Sequence, residues 1–313
     1  MVSETVELNN GAKMPVLGLG TSGGYENEVK QAVLDALDLG YRHIDTAHYY
    51  RNEKEIGQAL NRKIDEGVVR REDVFLVSKL WNTFHNENSV LPAIKRSLSD
   101  LGVDYVDLYL VHWPVALKDG WDLEPKDSEG RFILSDSDFT KTWKAMEQCV
   151  KLGLAKSIGL SNFNRSQIQR IWDVAEIKPV VNQVECHPYL AIKEHVEFCK
   201  SKGIVVTAYR PIAGHNKLSD TSPINDPLIN QLAEKYGKNP AQIMLRLQLQ
   251  RGIVVIPKST NKQRMKSNME VFDFQLSSDE MEALLQLDKG EAGRTIPAEE
   301  IKNHKEYPFS GEF

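Results

Sequence analysis

Eight short apolar runs alternate with amphipathic helical patterns along this chain of 313 residues, and no other feature constrains its fold as strongly. Strands that are nearly all apolar and are each followed by a helix indicate a parallel sheet covered by helices. Eight such units without a break in composition predict one (β/α)8 barrel domain over residues 1–313. The predicted strands are residues 16–19, 41–44, 74–78, 106–111, 157–160, 180–184, 204–208 and 253–256. The predicted helices are residues 29–37, 53–66, 89–101, 139–152, 166–174, 192–202 and 227–236, with a further helix at 240–249 before the last strand.

A short hairpin is predicted before the first barrel strand. Asn9-Asn10-Gly11 separates the runs 5–8 and 13–14, and Asn-Gly tolerates the positive φ angles of a tight turn. Two loops, residues 115–137 and 211–226, are rich in Pro, Gly, Asp and Ser, and their length predicts that they are walls of a binding cleft. The predicted fold class is therefore α/β, a TIM barrel with an N-terminal β-hairpin and extra helices and loops near the C-terminus.

The composition limits the partners of the chain. Its formal charge of -5 argues against nucleic acid as a partner. The first residues form neither a basic nor an apolar leader, and no run approaches the ~20 apolar residues of a membrane span, so we expect a cytoplasmic protein without a membrane partner. Its three cysteines, Cys149, Cys186 and Cys199, lack metal-site spacing and are expected to be reduced, buried thiols.

Residues 18–23 read Gly-Leu-Gly-Thr-Ser-Gly and match the G-x-G-x-x-G pattern of Rossmann folds, with Asp45 about 20 residues further on. In that interpretation Asp45 binds a ribose hydroxyl in a two-domain dehydrogenase. The run of eight βα units leaves no separate substrate domain, which favours the barrel. The glycines are then expected where the backbone passes close to a ligand or to another strand.

Polar residues follow the predicted strands at the point where each strand ends. Because the carboxyl ends of barrel strands meet at the face that carries the active site, these side chains are predicted to converge on one cavity. They are Asp45, Lys79, His112, Ser161, Asn162, Gln183, Glu185, Tyr209, Lys258 and Ser259. The loop after the second strand also carries Tyr50, followed by Asn52 and Glu55, which predict a capping box for the next helix.

Four of these groups suit proton donation. A phenol has a pKa of about 10, too high for easy donation near neutral pH, and a nearby ammonium lowers it. Lys79 is therefore predicted to lower the pKa of Tyr50, while Asp45 keeps Lys79 charged and His112 positions a carbonyl oxygen. The set lacks a nucleophile with an adjoining base, so it is suited to protonating an oxyanion that another reagent generates.

A hydride donor is such a reagent. The aromatic face of Tyr209 suits a nicotinamide ring, and hydroxyl and amide groups that suit its carboxamide belong to Ser161, Asn162 and Gln183. The segment 258–261 and Arg264 place two cations and several hydrogen-bond donors before a short helix. This arrangement predicts a site for a phosphate monoester.

The chain resembles the aldo-keto reductase family over residues 8–313. Similarity to family signatures lies in residues 40–57, 77–81, 112–114, 158–163, 181–188 and 256–259. The resemblance implies a barrel in which Tyr50 is the general acid and Asp45, Lys79 and His112 complete a catalytic tetrad. It implies NADPH, preferred over NADH and bound without a Rossmann fold. The implied cofactor contacts are Gly20, Thr21, Ser22, Asp45, Ser161, Asn162, Gln183, Tyr209, Arg210, Pro211, Ile212, Lys258, Ser259, Thr260, Asn261, Arg264 and Asn268.

The implied activity is reduction of an aldehyde or ketone to an alcohol by a cytoplasmic monomer. The implied substrate pocket is lined by Ser22, Tyr49, Trp81, His112, Trp113 and Trp121. Three positions depart from aldose-reductase-like members: Ser22 stands for a pocket tryptophan, Arg210 for a serine, and Ser267 for a glutamate near the adenine. Ser22 should open one wall, and Arg210 is expected to add a contact to the pyrophosphate. Small aldehydes, sugars, quinones and ketosteroids all remain candidate substrates.

Two other functions are compatible with parts of the sequence. A metal-dependent barrel hydrolase would use His43 and Asp45, which lie two apart on one strand face, together with His112 and His187. A nucleotide-sensing or structural subunit would bind NADPH on the same barrel without turnover. We expect no metal in the site, because His43 has no second histidine at ligand spacing nearby.

Overall fold

Parallel strands form the centre of the protein in this computed structural model, which describes residues 4–23, 26–214, 222–311 and 313. The strands are short, with two to seven residues each. In chain order they are β1 (Thr5–Glu7), β2 (Lys13–Pro15), β3 (Leu19–Gly20), β4 (His43–Asp45), β5 (Phe75–Leu80), β6 (Val106–Val111), β7 (Ala155–Ser161), β8 (Val181–Glu185), β9 (Val205–Tyr209) and β10 (Val254–Val255).

The strands β3 to β10 pair in sequence order, and every neighbouring pair is parallel. The two edge strands meet at a seam in which Val255 donates its N–H to Val16 O and Gly18 donates to Val255 O, both at 2.9 Å. A further bridge joins Gly20 and Lys258. The sheet therefore closes on itself, and the predicted (β/α)8 barrel with eight barrel strands is confirmed.

The helices surround this sheet and agree with the predicted segments to within about one turn. They are α1 (Glu26–Leu39), α2 (Glu53–Asp65), α3 (Glu87–Leu101), α4 (Phe139–Lys151), α5 (Arg165–Val174), α6 (Lys193–Ser201), α7 (Pro227–Tyr236), α8 (Pro240–Gln250), α9 (Lys262–Met269) and α10 (Ser278–Leu285). The helix predicted before the last strand is α8. The helix α10 was not predicted, and its Ser277 and Glu280 form the capping box that begins it.

The predicted N-terminal hairpin is present as β1 and β2, which pair antiparallel with Val6 opposite Met14. Leu8 and Met14 are buried in one cluster with barrel-interior residues of β5 and β6, among them Phe75, Val77 and Leu108. The hairpin therefore plugs the end of the barrel at which the strands begin.

Two glycines of the Rossmann-like segment lie where the backbone passes very close to a neighbouring strand. A Cβ atom at Gly18 would lie 2.6 Å from the ring of His43, and one at Gly20 would lie 2.7 Å from the backbone oxygen of Ile256. Neither neighbour can be displaced easily, since one is fully buried and the other belongs to the barrel seam. These glycines allow close approach between strands, as the barrel interpretation predicts.

All three cysteines are buried free thiols, as predicted. Across the described ranges, no helix combines the length and the apolar character that crossing a bilayer would require.

Candidate active site

The polar groups predicted to converge lie at the carboxyl ends of neighbouring strands. Asp45 is the last residue of β4, Lys79 lies near the end of β5, and His112 directly follows β6. The strand pairing places Asp45 opposite Val77 and Lys79 opposite Leu110, so the three residues occupy adjacent positions around one mouth of the barrel. All three side chains are buried.

The Lys79 ammonium is the centre of this group. It donates to Asp45 Oδ1 at 2.6 Å, to the backbone oxygen of Thr46 at 2.9 Å and to Tyr50 Oη at 3.3 Å. The predicted pairing of Lys79 with Asp45 is therefore present. Burial favours the neutral amine, but the charges and hydrogen bonds of Asp45 and Tyr50 outweigh it and raise the pKa of Lys79. Lys79 is a buried, charged lysine.

The second oxygen of Asp45 is also occupied. Gln183 Nε2, from β8 on the opposite wall of the barrel, donates to Asp45 Oδ2 at 2.7 Å. Both carboxylate oxygens therefore face protein donors. This arrangement fits a support for Lys79 and contradicts the Rossmann interpretation, in which Asp45 binds a ribose hydroxyl.

Tyr50 ends a short 3-10 turn, His48–Tyr50, that follows β4. The predicted capping box after it is wrong, because the Asn52 side chain makes no hydrogen bond to the helix N-terminus. Its Oδ1 instead accepts from the Thr46 hydroxyl at 3.0 Å, and its Nδ2 donates to Thr21 O at 2.9 Å. Asn52 thus ties the loops after β3 and β4 together beneath Tyr50.

Burial raises the pKa of the Tyr50 phenol, while the Lys79 charge and hydrogen bonds from Lys79 and Ser22 lower it. The prediction that Lys79 favours the phenolate is correct in direction. A net lowering of the pKa is wrong for this structure, because desolvation of the buried phenol is the larger effect. Burial and the Lys79 charge together hold the pKa of His112 well below its usual range, so His112 is neutral.

Aromatic rings surround His112. The rings of Tyr50 and Trp81 meet it edge-on, with centroids 5.6 and 5.2 Å from that of the imidazole. Tyr49 stacks on Trp81 at 3.7 Å, and the Tyr49 hydroxyl donates to Glu124 Oε1 at 2.9 Å. These rings form one wall beside the Tyr50 phenol, where the substrate pocket was predicted.

Two other predicted pocket residues make their ring contacts with residues other than His112. Trp113 is buried and contacts Phe309 edge-on, with centroids 6.0 Å apart. Trp121 is 58% exposed and contacts His48 and Phe84. Ser22 is exposed and lies next to Tyr50, to which it is hydrogen-bonded.

The residues predicted to hold a nicotinamide are brought together. The Tyr209 hydroxyl donates to Asn162 Oδ1 at 2.8 Å, which fixes the tyrosine ring. Asn162 Nδ2 in turn donates to Ser161 Oγ and to the backbone oxygen of His112, at 3.1 and 3.0 Å. Gln183 completes the group from β8, although its amide nitrogen is engaged by Asp45.

The residues predicted to hold a phosphate monoester surround the start of α9. Asn261 caps this helix through its Oδ1, which accepts from Arg264 N at 2.9 Å, and Ser259 Oγ accepts from Asn261 N at 3.1 Å. Lys258 and Arg264 are exposed, and within the described ranges neither side chain is paired with a carboxylate. The donor set of two free cations at a helix N-terminus fits a dianionic phosphate. Thr260 and the buried Asn268 lie in the same segment.

The loop after β9 shows a contact that was not predicted. Arg210 Nη1 donates to the Thr295 hydroxyl at 2.8 Å, and Pro211 and Ile212 continue the loop. The expected wall 211–226 includes residues 215–221, which lie outside the described residues. Ser267 Oγ accepts a hydrogen bond from Asn239.

Sequence reasoning missed the C-terminal segment that borders the mouth. Glu185, at the end of β8, accepts from the backbone N–H groups of Thr295 and Ile296 at 2.8 and 2.9 Å. Burial and the Glu124 carboxylate raise the pKa of the Tyr49 phenol to about 12, and the Glu300 charge acts in the same direction. Glu185 itself was visible as a polar residue at a strand end, but its partners lie 110 residues away.

The residues of the metal-hydrolase alternative are not brought together. His43 Nδ1 donates to Pro15 O, His187 pairs with Glu185, and His112 lies beside Tyr50. In the described part of the chain, the one group with metal-ligand spacing is His48, Glu53 and Asp100. Glu53 there already accepts hydrogen bonds from His48 and Ser78.

Comparison with known proteins agrees with this geometry. The model of the aldo/keto reductase family matches residues 16–289. The chain belongs to this family. The chain is 47% identical to aldo-keto reductase family 1 member C18 from Rattus norvegicus and 47% identical to prostaglandin-E(2) 9-reductase from Oryctolagus cuniculus, in each case over 99% of this chain and 98% of the relative. It is 45% identical to estradiol 17 beta-dehydrogenase 5 from Mus musculus, with the same coverage.

A solved structure gives the same result. The aldose reductase from Schistosoma japonicum superposes with a TM-score of 0.94 at 44% identity, covering 99% of this chain and 100% of that one. As an aldo-keto reductase with close relatives that are reductases and dehydrogenases, the protein is an oxidoreductase that acts on carbonyl groups.

Proposed function

We propose that this aldo-keto reductase uses NADPH to reduce an aldehyde or ketone to an alcohol and that Tyr50 is the proton donor. The observation that carries the proposal is the Lys79 ammonium, which contacts both the Tyr50 phenol and the Asp45 carboxylate at the barrel mouth. When bound, NADPH would supply a hydride for the carbonyl carbon. The protein would then have to supply only the proton.

Asp45, Tyr50, Lys79 and His112 divide this task. The carbonyl oxygen would lie between Tyr50 Oη and the His112 ring, and the neutral imidazole would donate a hydrogen bond to it without releasing a proton. Tyr50 would transfer its proton to that oxygen as negative charge develops there. Lys79 would stabilise the resulting phenolate at a distance of 3.3 Å, and Asp45 keeps Lys79 charged and oriented.

The donors described above fit NADPH better than NADH. Tyr209, Ser161, Asn162 and Gln183 would hold the nicotinamide end. Lys258 and Arg264 would bind the 2'-phosphate that distinguishes NADPH, because two exposed cations without a carboxylate partner among the described residues gain most from a group of charge close to -2.

The names of the relatives include a steroid dehydrogenase and a prostaglandin reductase. For this chain we propose only their common class, a small-molecule carbonyl compound. We further propose a cytoplasmic monomer of one barrel domain, with neither nucleic acid nor membrane as partner. Size-exclusion chromatography with light scattering would test the monomer.

Tyr50→Phe tests the proposal, because it removes the proton donor and keeps the ring. We expect turnover with an aromatic aldehyde and NADPH to fall by roughly 10²–10⁴-fold, the usual contribution of a general acid. NADPH affinity, measured by quenching of tryptophan fluorescence, should change less than about threefold, a change worth under 1 kcal/mol. Tyr236→Phe, which removes a phenol on α7 that contacts Glu280, is the matched control and should be fully active.

The same experiment separates the alternatives. A nucleotide sensor would bind NADPH with negligible turnover in the unmodified protein. Undiminished turnover in the Tyr50→Phe variant would refute the assignment of Tyr50.

A further inference from the structure

Arg210 connects two segments that border the same mouth of the barrel. Its guanidinium donates to the Thr295 hydroxyl at 2.8 Å, and that hydroxyl donates to the buried carboxylate of Glu185. Glu185 is held by His187 at 3.0 Å and by two backbone N–H groups of the C-terminal segment. A cation, a hydroxyl and a buried carboxylate thus form a relay from the loop after β9 to the C-terminal segment 294–301.

The relay begins in a strained turn, residues 210–214. Arg210 and Ala213 both have left-handed backbones, with φ of 47° and 54°. Ala213 donates its N–H to Arg210 O at 2.8 Å, and a Cβ atom at Gly214 would lie 2.8 Å from Arg210 Nη1. Two left-handed residues other than glycine in five positions persist only where surrounding contacts hold them. The contact of Arg210 with Thr295 is such a contact.

Each end of the relay adjoins a different part of the site. On one side, Tyr209 immediately precedes Arg210 and is fixed by Asn162, where the nicotinamide is proposed to bind. On the other side, the C-terminal chain continues to Phe309, whose ring meets the predicted pocket residue Trp113 edge-on, with centroids 6.0 Å apart. The hydrogen bond between Arg210 and Thr295 is therefore a direct link between the cofactor side and the substrate side.

We propose that Arg210 is a positioning residue that couples the binding of NADP(H) to the shape of the substrate pocket through Thr295. This inference rests on the proposed function. A cofactor that fixes the turn 210–214 also fixes Thr295 through the hydrogen bond. The C-terminal segment is then already ordered when the substrate binds, so the entropy cost of substrate binding is smaller. Because such coupling is reciprocal, the substrate tightens the binding of the cofactor by the same factor.

Hydrogen exchange of peptides that cover residues 294–301, with and without saturating NADP+, measures the coupling without any turnover. In the unmodified protein we expect NADP+ to slow this exchange at least ~5-fold, the lower end of usual couplings. Thr295→Val keeps the side-chain shape and removes the hydroxyl, so the slowing should be lost. Thr295→Ser restores the hydroxyl and should restore the slowing.

Arg210→Ser provides a second, independent break. It should remove the slowing of hydrogen exchange, as Thr295→Val does. The double variant should lose no more of the slowing than either single variant, because both substitutions break the same hydrogen bond. Thr295→Val leaves Arg210 free to contact the cofactor, so its Kd for NADP+ should stay within about threefold. In steady-state assays Thr295→Val should raise KM for the carbonyl substrate about fivefold and leave kcat unchanged.

Undiminished slowing in Thr295→Val and Arg210→Ser, or additive losses in the double variant, would overturn the coupling. Absence of any slowing in an unmodified protein that binds NADP+ would overturn it as well. A failure of the proposed function is a different result, since the unmodified protein would then neither bind NADP+ nor reduce any carbonyl compound.

Discussion

Burial sets the protonation states at the mouth of the barrel. Desolvation raises the pKa of Tyr50 and lowers that of His112, so both side chains are neutral hydrogen-bond donors at neutral pH. Lys79 carries a positive charge that its surroundings reinforce, because Asp45 lies 2.6 Å away. The site therefore combines two neutral hydrogen-bond donors with the fixed Lys79 cation. This arrangement stabilises an oxyanion more than it stabilises a neutral carbonyl group.

A second prediction at the residue scale concerns the choice of cofactor. Lys258→Ala or Arg264→Ala should weaken NADPH binding by about 10-fold or more, since each removes a charge-assisted hydrogen bond worth roughly 1.5–3 kcal/mol. NADH binding should change less than about threefold, because NADH lacks the phosphate. Isothermal titration with both cofactors measures this difference.

Lys262→Ala is the matched control for these variants, because Lys262 lies on the same helix and pairs with Asp35 instead. Equal losses for NADPH and NADH in the Lys258 or Arg264 variant would contradict the phosphate role.

Single residues also show where sequence reasoning stops. The pairing of Lys79 with Asp45 was predictable, because a lysine at a buried strand end needs a carboxylate and a neighbouring strand supplied one. The role of Asn52 was not predictable, because its capping motif is a local pattern, whereas its partner Thr21 comes from the loop after β3. The net pKa of Tyr50 also required the structure, since desolvation depends on how completely the ring is enclosed.

At the scale of elements, Asn164 both caps the N-terminus of α5 and binds the C-terminal segment. Asn164 caps α5 through Oδ1, which accepts from Gln167 N at 2.9 Å, and its Nδ2 donates to Pro308 O at 3.1 Å. Gln167 Nε2 and Arg170 donate hydrogen bonds to Glu306, which lies two residues before Pro308. Residues 306–308 are therefore fastened to α5, while Thr295 and Ile296 are fastened to β8, so the C-terminal segment is held at two points.

Asn164→Ser should separate the helix cap from the hydrogen bond to Pro308. Serine retains an acceptor that caps the helix, but it loses the amide donor to Pro308. We expect faster hydrogen exchange in residues 304–311 and a loss of about 1 kcal/mol in the free energy of unfolding, the usual value of one hydrogen bond.

Asn239→Ser is the matched control, because Asn239 forms the same capping box with Gln242 but donates to Ser267. It should leave exchange in residues 304–311 unchanged. Similar exchange in both variants would show that Asn164 is only a cap.

Elements with strong periodicity were predictable from the sequence, whereas those set by long-range contacts were not. The run 106–111 matches β6 at both ends, because five of its six residues are apolar and the polar His112 directly follows it. The barrel seam is the opposite case, since β3 and β10 have only two residues each and are defined by their pairing across the sheet. The course of the C-terminal segment depends on Glu185, whose partners lie over a hundred residues away.

At the scale of the whole molecule, buried histidines link stability to pH. Burial lowers the pKa of His43, His85, His112 and His195, to about 3 for His85 and His195. These rings are neutral in the folded protein, whereas in the unfolded chain they bind protons below about pH 6.5. Stability is therefore fully present above about pH 6.5 and falls as the pH drops toward the lowered pKa.

From pH 7.5 to pH 5.5 each such histidine costs about 1.4 kcal/mol in total, because the unfolded chain takes up its proton near pH 6.5, so the free energy of unfolding should fall by roughly 5 kcal/mol for the four. Urea unfolding at the two pH values measures the difference. In His195→Gln the difference should shrink by about 1.4 kcal/mol, because one protonation site is removed. An unchanged difference in that variant would show that His195 is not a neutral ring in the folded protein.

The three hydrogen bonds of the Lys79 ammonium also have a chemical consequence. An ammonium has three N–H bonds, and those of Lys79 face Asp45, Thr46 and Tyr50. Attack on an acylating or alkylating reagent requires a free amine lone pair, which this lysine can expose only by losing a proton and breaking one of these bonds. Lys79 should therefore be among the last lysines labelled by amine-reactive reagents, as peptide mass spectrometry of partially modified protein would show. The residue most central to the site would be the one that such probes overlook.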